Sequence, residues 1–379
     1  MNKLIDISKN GFRVCESRQN ELDIAFISLR LALKSYFSTY RDLKLNLSSL
    51  NSNIFNVEDV EDVEDVEDVE DVEDVDKNYS LSYYESCTET IVHFQHFFEL
   101  VCKHILKNEH PLLANVASKK AVVLSKLLKG EILNEIEDNS LQSIEFSEAI
   151  SRLLELIKNE SINDFKLLNF ILSGEQVLRT VNSLRNRIWH RGLFVLRYEA
   201  LDELVCRFIL PLVNEFLSLN LFYGNEINWK YKDLHCNIDP ISELINMDFD
   251  KGFELDKIAF LKEMGRAAYY NPLYETVLKR TGRQNFSSLL DNASIQKAED
   301  IANQELQKHH AKLKACPVCG VNSLILYPES DCEYNNDYEV SNVITYIWKI
   351  TCECCGFSLH NEFKNAKDYG FNNIEDFWG

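Results

Sequence analysis

The sequence predicts a mainly α protein: a helical bundle, then a helical connector, then a small β segment at the C-terminal end. Three observations carry that reading. Glycine (12) and proline (6) are scarce among 379 residues, so the turn punctuation of an all-β chain is missing. Long stretches repeat apolar residues at helical spacing with no breaker inside them. Near the C-terminus, two Cys-x-x-Cys-Gly motifs flank short runs of strand-forming residues.

Taken in order, residues 15–44 carry Leu22, Ile24, Phe26, Ile27, Leu29, Leu31, Leu33 and Phe37, which predicts one long helix inside an N-terminal helical segment, 1–56. Residues Val57 to Asp76 then read Val-Glu-Asp six times and close on Val-Asp. A valine every third residue precesses around an α-helix by about 60° per repeat, so no lasting apolar stripe forms. Like charges also crowd one another, and the expectation is a disordered acidic linker over 57–79. From Tyr83 to Leu106 the residues Ile91, Phe94, Phe98, Val101, Cys102 and Ile105 mark a strong helix. Weaker helices follow at 116–129 and 141–158, and a strong one runs from Glu175 to Arg191 with Gly192 as its C-cap. A largely apolar helix from about Tyr198 to Leu219 should kink at Pro211. These elements suit an antiparallel bundle over 80–222. Shorter helices make a connector over 223–314, which ends in a charged helix from Ile295 to Lys314.

Charge and hydropathy narrow the setting. The formal net charge is −20, but the repeat alone holds thirteen acidic groups and no basic one. Removing them leaves 47 Asp and Glu against 40 Lys and Arg, a balance of −7, so the net charge describes the repeat and does not exclude a nucleic-acid partner. Lys3, Asp6, Lys9 and Arg13 leave no apolar core for a secretory signal. The most apolar stretch, 204–222, is interrupted by Arg207, Asn214 and Glu215, which argues against a membrane span. The expected location is the cytoplasm. In that reducing compartment the 11 cysteines call for metal binding or burial in place of disulfides. Cys15, Cys87, Cys102, Cys206 and Cys236 sit among apolar neighbours and read as buried small hydrophobes.

The most specific signal lies over 315–379. Cys316-Pro-Val-Cys319-Gly320 and Cys352-Glu-Cys-Cys355-Gly356 are two knuckles, each a tight turn with backbone room at its glycine. Together they place four thiolates around one structural Zn²⁺ per chain, with strand-like runs at Leu324–Tyr327 and Val343–Ile350 between them, as in a zinc ribbon. Cys332 and Cys354 are spare, and Cys354 is the one able to compete as a ligand.

The second signal is in Glu-Gln-Val-Leu-Arg-Thr-Val-Asn-Ser-Leu-Arg-Asn-Arg-Ile-Trp-His-Arg, residues 175–191. At about 100° per residue, Val177, Val181, Leu184 and Ile188 form a core-facing stripe, and Asn186 and His190 lie together on the opposite side. That pattern by itself reads as an exposed polar face. The combination Arg185-Asn186-x-x-x-His190, however, resembles the active-site motif of the HEPN superfamily. Glu99 and Lys103, inside Phe98-Glu-Leu-Val-Cys-Lys103, are similar to the Glu and Lys of a HEPN opening helix. The resemblance spans roughly 80–222 and implies a metal-independent endoribonuclease acting through the RNA 2′-hydroxyl. His190 would exchange protons near neutrality, Arg185 would hold phosphate oxygens with its planar fork, and Asn186 would orient phosphate or imidazole. Arg187 and Arg191 are candidates for flanking phosphates. Arg185 and His190 sit about 140° apart on one helix, so a cleft shared by two protomers brings them together more readily, as the composite dimer sites of the family imply. By the same analogy the chain resembles toxins and antiphage effectors, the ribbon serving as sensing or binding module and a phage protein as trigger.

Two further readings follow. Lys262, Arg266, Tyr269, Tyr270, Tyr274, Lys279, Arg280 and Arg283 interleave bases with aromatics, as a single-stranded RNA surface does, although tyrosines packing a small helical subdomain is the preferred account. The rival to an enzyme is an adaptor that binds protein or nucleic acid through the bundle and the ribbon. No Gly-rich phosphate loop, His-Glu-x-x-His or nucleophile elbow is present, which argues against NTPase, zincin and α/β-hydrolase chemistry.

Overall fold

A computed structural model describes residues 18–41, 79–116, 121–134, 137, 141–191, 194–231, 233–270, 287–334 and 340–378. The Val-Glu-Asp run, Cys15, Gly192, Tyr274, Lys279, Arg280 and Arg283 lie outside the described residues. The helices are α1 (Arg18–Ser38), α2 (Leu81–Glu109), α3 (Ala121–Leu128), α4 (Phe146–Lys158), α5 (Phe170–Ser173), α6 (Glu175–Arg191), α7 (Tyr198–Glu203), α8 (Leu210–Ser218), α9 (Glu226–Trp229), α10 (Pro240–Ile245), α11 (Leu255–Tyr270) and α12 (Ser287–His309). Four strands follow: β1 (Lys312–Lys314), β2 (Leu324–Tyr334), β3 (Val340–Cys352) and β4 (Ser358–His360). The protein is therefore mainly helical with a small antiparallel sheet near the C-terminus. No described helix is long and apolar enough to cross a membrane.

The chain divides into two compact units. The first takes its described residues from Met1–Ala32, Ile91–Phe194 and Glu215–Trp229. Its core is built from side chains three and four residues apart, the spacing that keeps them on one helix face. α1 buries Leu22, Ala25, Phe26 and Leu29; α2 buries Ile91, Phe94, Phe98, Val101, Cys102 and Ile105. α4 buries Phe146, Ala149, Ile150, Leu153, Leu154 and Ile157, and α6 packs against it. Phe216 joins the core through Phe98 and Phe170, with ring centroids 5.8 Å and 4.9 Å away. The inward face of α6 differs slightly from the predicted stripe. Leu178, Val181 and Leu184 are buried, while Val177 and Ile188 are half-buried, because the covered arc is wide enough to admit Leu178 and is centred closer to it.

The second unit takes its described residues from Leu33–Thr90, Val195–Asn214 and Lys230–Gly379. Between α7 and α8 the residues Leu204–Ile209 form a π turn, in which the Leu210 N–H bonds to the Val205 carbonyl. Pro211 has no N–H and its ring crowds the carbonyl of Arg207, so the disturbance expected from proline takes the form of a widened turn just ahead of it. Every residue of α11 from Ile258 to Tyr269 is buried. That burial includes Lys262, Glu263 and Arg266, so the base-and-aromatic stretch is a structural element in its first half. Lys262 pairs with Asp202, which also accepts from the Tyr36 hydroxyl at 3.0 Å.

The sheet order is β1-β2-β3-β4, antiparallel throughout. The charged helix expected to reach Lys314 ends at His309, because Lys312–Lys314 pairs with Leu324–Leu326 as β1. β4 pairs only with Lys349–Thr351. Beyond these short flanks β2 and β3 continue as a two-stranded arm on which Val340, Val343 and Ile344 are exposed.

Candidate functional site

Two clusters of chemically competent side chains emerge, one in each unit. In the second unit the sulfurs of Cys316, Cys319, Cys352 and Cys355 all lie within 4.8 Å of one another, an arrangement that can hold a metal ion. Cys316 and Cys355 approach to 3.6 Å, as do Cys319 and Cys352. Two equivalent turns produce this. The Gly320 N–H bonds to the Cys316 carbonyl at 2.8 Å and the Gly356 N–H to the Cys352 carbonyl at 2.9 Å. Both glycines are left-handed, at φ +76° and +70°, which is why a glycine must follow each pair. Three neighbouring thiols draw the Cys352 thiol down, while burial pushes Cys355 well up, as expected where four sulfurs compete for few protons. Cys354 sits beside Cys319 outside the cluster of four, half-exposed, and Cys332 is exposed. Cys87, Cys102, Cys206 and Cys236 are buried, and burial pushes the Cys87 thiol up to about 11 and Cys102 up to about 12, so both stay protonated as small hydrophobes.

The second cysteine turn is braced from α11. Arg266 and Glu263 form a double hydrogen bond, 2.7 Å in each arm. Arg266 then donates to the Gly356 carbonyl, and Glu263 accepts from the Ser358 N–H. The first turn is met by the segment at His235, whose N–H and that of Cys236 bond to the Val318 and Pro317 carbonyls.

In the first unit, α6 has the bounds the sequence suggested and presents Arg185 at the edge of its buried face. The Arg185 guanidinium donates to the Asn186 side-chain oxygen at 3.0 Å and lies 5.9 Å from the exposed ring of Trp189. Asn186 thus engages arginine. Arg187 is stacked on Phe194, 3.6 Å from the ring centroid. The helix continues through His190 and Arg191, but their side chains lie outside the described residues.

α2 carries a second polar group in the same unit. Glu99 is held on both oxygens, by Lys103 at 2.5 Å and by Gln95 at 2.9 Å. Burial opposes its ionisation, yet the Lys103 and Gln95 contacts outweigh burial and hold the carboxyl below its usual range. One turn earlier, His96 shares a 2.8 Å hydrogen bond between its Nδ1 and the buried hydroxyl of Ser28 on α1. Burial, first of all, lowers its pKa; Glu99 opposes the shift, and the charges of His93, Lys103 and Arg185 add to it. His96, Gln95 and Ser28 were not singled out in the sequence, although His96, Glu99 and Lys103 share one helical face by spacing alone.

Compared with models of protein families, with curated proteins and with solved structures, the chain matches none.

Proposed function

We propose that this chain is a metal-independent endoribonuclease of the HEPN type, acting in the cytoplasm as a homodimer or higher homo-oligomer on RNA. The observation that supports the reading is that α6 carries Arg185 hydrogen-bonded to Asn186 in the same compact unit as the Glu99–Lys103 pair of α2, the two parts of the motif that the sequence holds 82 residues apart. Arg185 offers the planar fork that a phosphate needs, and Asn186 accepts from its guanidinium. In the reaction the 2′-oxygen attacks phosphorus and loses its proton, while the 5′-oxygen leaves and gains one. His190 is the proton carrier assigned by the motif, and Arg187 and Arg191 are assigned to flanking phosphates. A cleft shared between protomers answers the angular separation of Arg185 and His190 on one helix.

The ribbon is the sensing or binding module in this reading, and its ion is zinc. A tetrahedral zinc site with Zn–S bonds of about 2.3 Å holds its sulfurs about 3.8 Å apart, close to the spacing present here. Four thiolates leave no open position, so zinc would supply folding energy and no step of RNA cleavage. The exposed Val340, Val343 and Ile344 on the β2–β3 arm favour a binding role for this element and would equally suit an adaptor without activity. A phage protein is the trigger the family analogy suggests.

The experiment is cleavage of a defined RNA by the purified protein in EDTA. Loss of about 10²–10⁴ in rate in Arg185→Ala and His190→Ala is expected, with 2′,3′-cyclic phosphate and 5′-hydroxyl ends in the wild type. DNA, lacking the nucleophile, should stay intact. Mixing the two inactive variants should restore part of the activity if each protomer completes its partner's cleft. Products with 5′-phosphates, or a strict Mg²⁺ requirement, would defeat the mechanism; no cleavage at all favours the adaptor.

A further inference from the structure

We propose that Trp189 is a base-stacking platform beside Arg185, so that the site takes single-stranded RNA, an unpaired base lying on the indole while the guanidinium meets a neighbouring phosphate. The inference rests on the ribonuclease reading for the ligand being RNA. It adds a residue and a strandedness that the Arg-Asn-x-x-x-His motif does not specify. Trp189 is the exposed one of the four tryptophans: 65% of its surface faces solvent, while Trp229 is buried and Trp348 and Trp378 are half-buried.

Direct contacts place Trp189 in the site. Arg185 Cζ lies over the indole, 5.9 Å from its centroid, and the same guanidinium donates to the Asn186 side chain at 3.0 Å. At about 100° per residue, Trp189 stands one turn beyond this pair, about 40° from Arg185 and about 60° from Asn186. The three side chains therefore share one patch of α6. The helix beneath them is anchored, since Leu178, Val181 and Leu184 are buried and α6 packs against α4. Arg187 points about 160° away from Trp189 and is stacked on Phe194, so it leaves the indole face to a ligand.

Chemistry selects the occupant. An indole face in water suits a nucleobase, because every base offers a π-face and stacking needs no particular sequence. The surrounding charge suits a polyanion: from Gln176 to Arg191 the helix carries four arginines and no acidic residue. A second copy seated on this patch would set Arg185 against its own counterpart, with no carboxylate of α6 nearby to relieve it. The shared cleft of the ribonuclease reading, by contrast, keeps the patch open to the strand. In duplex RNA each base is already stacked within the helix, whereas unpaired bases can be splayed onto an aromatic ring. The two contacts differ in kind, since the phosphate contact weakens with salt and the stacking contact does not.

The test is binding of a 2′-O-methyl octa-adenylate to the full-length protein, a probe with bases and phosphates but no nucleophile, so that it stays intact. Trp189→Ala should weaken binding by about 5- to 150-fold and Trp189→Phe by less, both at the thermal midpoint of wild type. Binding should quench the fluorescence of wild type, and Trp189→Phe should lose that quench. The slope of log affinity against log salt should fall by about 0.7 in Arg185→Ala and stay unchanged in Trp189→Ala. A blunt duplex of the same length should bind wild type and Trp189→Ala alike. Four results overturn the proposal: no binding by wild type, no quench, Trp189→Ala binding within about twofold of wild type, or a dimer that Trp189→Ala turns into monomers, which would make Trp189 a contact between copies. Cleavage of unmodified RNA is measured alongside. A wild type that binds through Trp189 but cuts nothing defeats the ribonuclease reading alone, and a wild type that cuts while Trp189→Ala binds equally well defeats the platform alone.

Discussion

At the scale of single residues, the two glycines behind the cysteine pairs are chemically alike and structurally unequal. Both are left-handed, so an alanine at either position carries about 1–2 kcal/mol of backbone cost. A Cβ at Gly320 would also come within 2.8 Å of His235 Nδ1, whereas at Gly356 the nearest atom is Arg266 Nη2 at 3.9 Å. Gly320→Ala should therefore lower the denaturation midpoint of the metal-loaded protein more than Gly356→Ala. Adding His235→Ala should bring the first variant back to the level of the second; equal losses without that rescue would show that the imidazole yields freely. The glycine requirement itself was legible, because a left-handed turn residue belongs after each Cys-x-x-Cys. The inequality was not, since it depends on a segment 85 residues earlier in the sequence.

At the scale of elements, local pattern read well wherever one face of a helix alone decides its burial. α4 and α6 formed as their apolar periodicity indicates, and the four metal-competent cysteines converge as their spacing demands. Pattern read poorly where a residue's neighbours come from elsewhere in the chain. Lys262 and Arg266 in α11 stood out as bases interleaved with aromatics, and nothing local announced that Asp202 and the Gly356 turn cover them. The hydrogen bond of His96 escaped notice for the same reason: its partner, Ser28, stands 68 residues away in sequence. The ribbon yields the prediction at this level. Metal analysis should find one zinc per chain, with binding worth roughly 10–16 kcal/mol that also stabilises the fold. Cys316→Ser should lose that equivalent and unfold the segment, while Cys354→Ser should retain it, because Cys354 stands beside the cluster without belonging to it. A full equivalent in Cys316→Ser would sink the assignment.

At the scale of the whole molecule, the charge distribution was readable at once and the partition into units was not. Thirteen acidic groups between Val57 and Asp76 dominate the net charge. Each compact unit, by contrast, draws on three separated stretches, which no local signal announces. Phe26 meets Phe222 and Tyr36 meets Asp202 across more than 160 residues of chain. The acidic run leads to a test of the intact protein. Tethered negative charge lowers the local concentration of a polyanion such as RNA, and the effect fades with salt. Replacing Val57–Asp76 by a neutral Gly/Ser linker of equal length should raise basal RNA cleavage, most strongly at low ionic strength. Equal cleavage and equal RNA affinity at every salt concentration would leave the repeat as a spacer.

The Glu263–Arg266 pair also bears on how this protein can be taken apart. A ribbon that carried all of its own supports could be cut out and grafted onto another scaffold. Here the carbonyl of Gly356 and the amide of Ser358 find their partners on α11, so an excised 315–379 fragment would bring two polar groups with no counterpart. An engineer who wants a transferable version must move α11 with it, or redesign both contacts in the recipient.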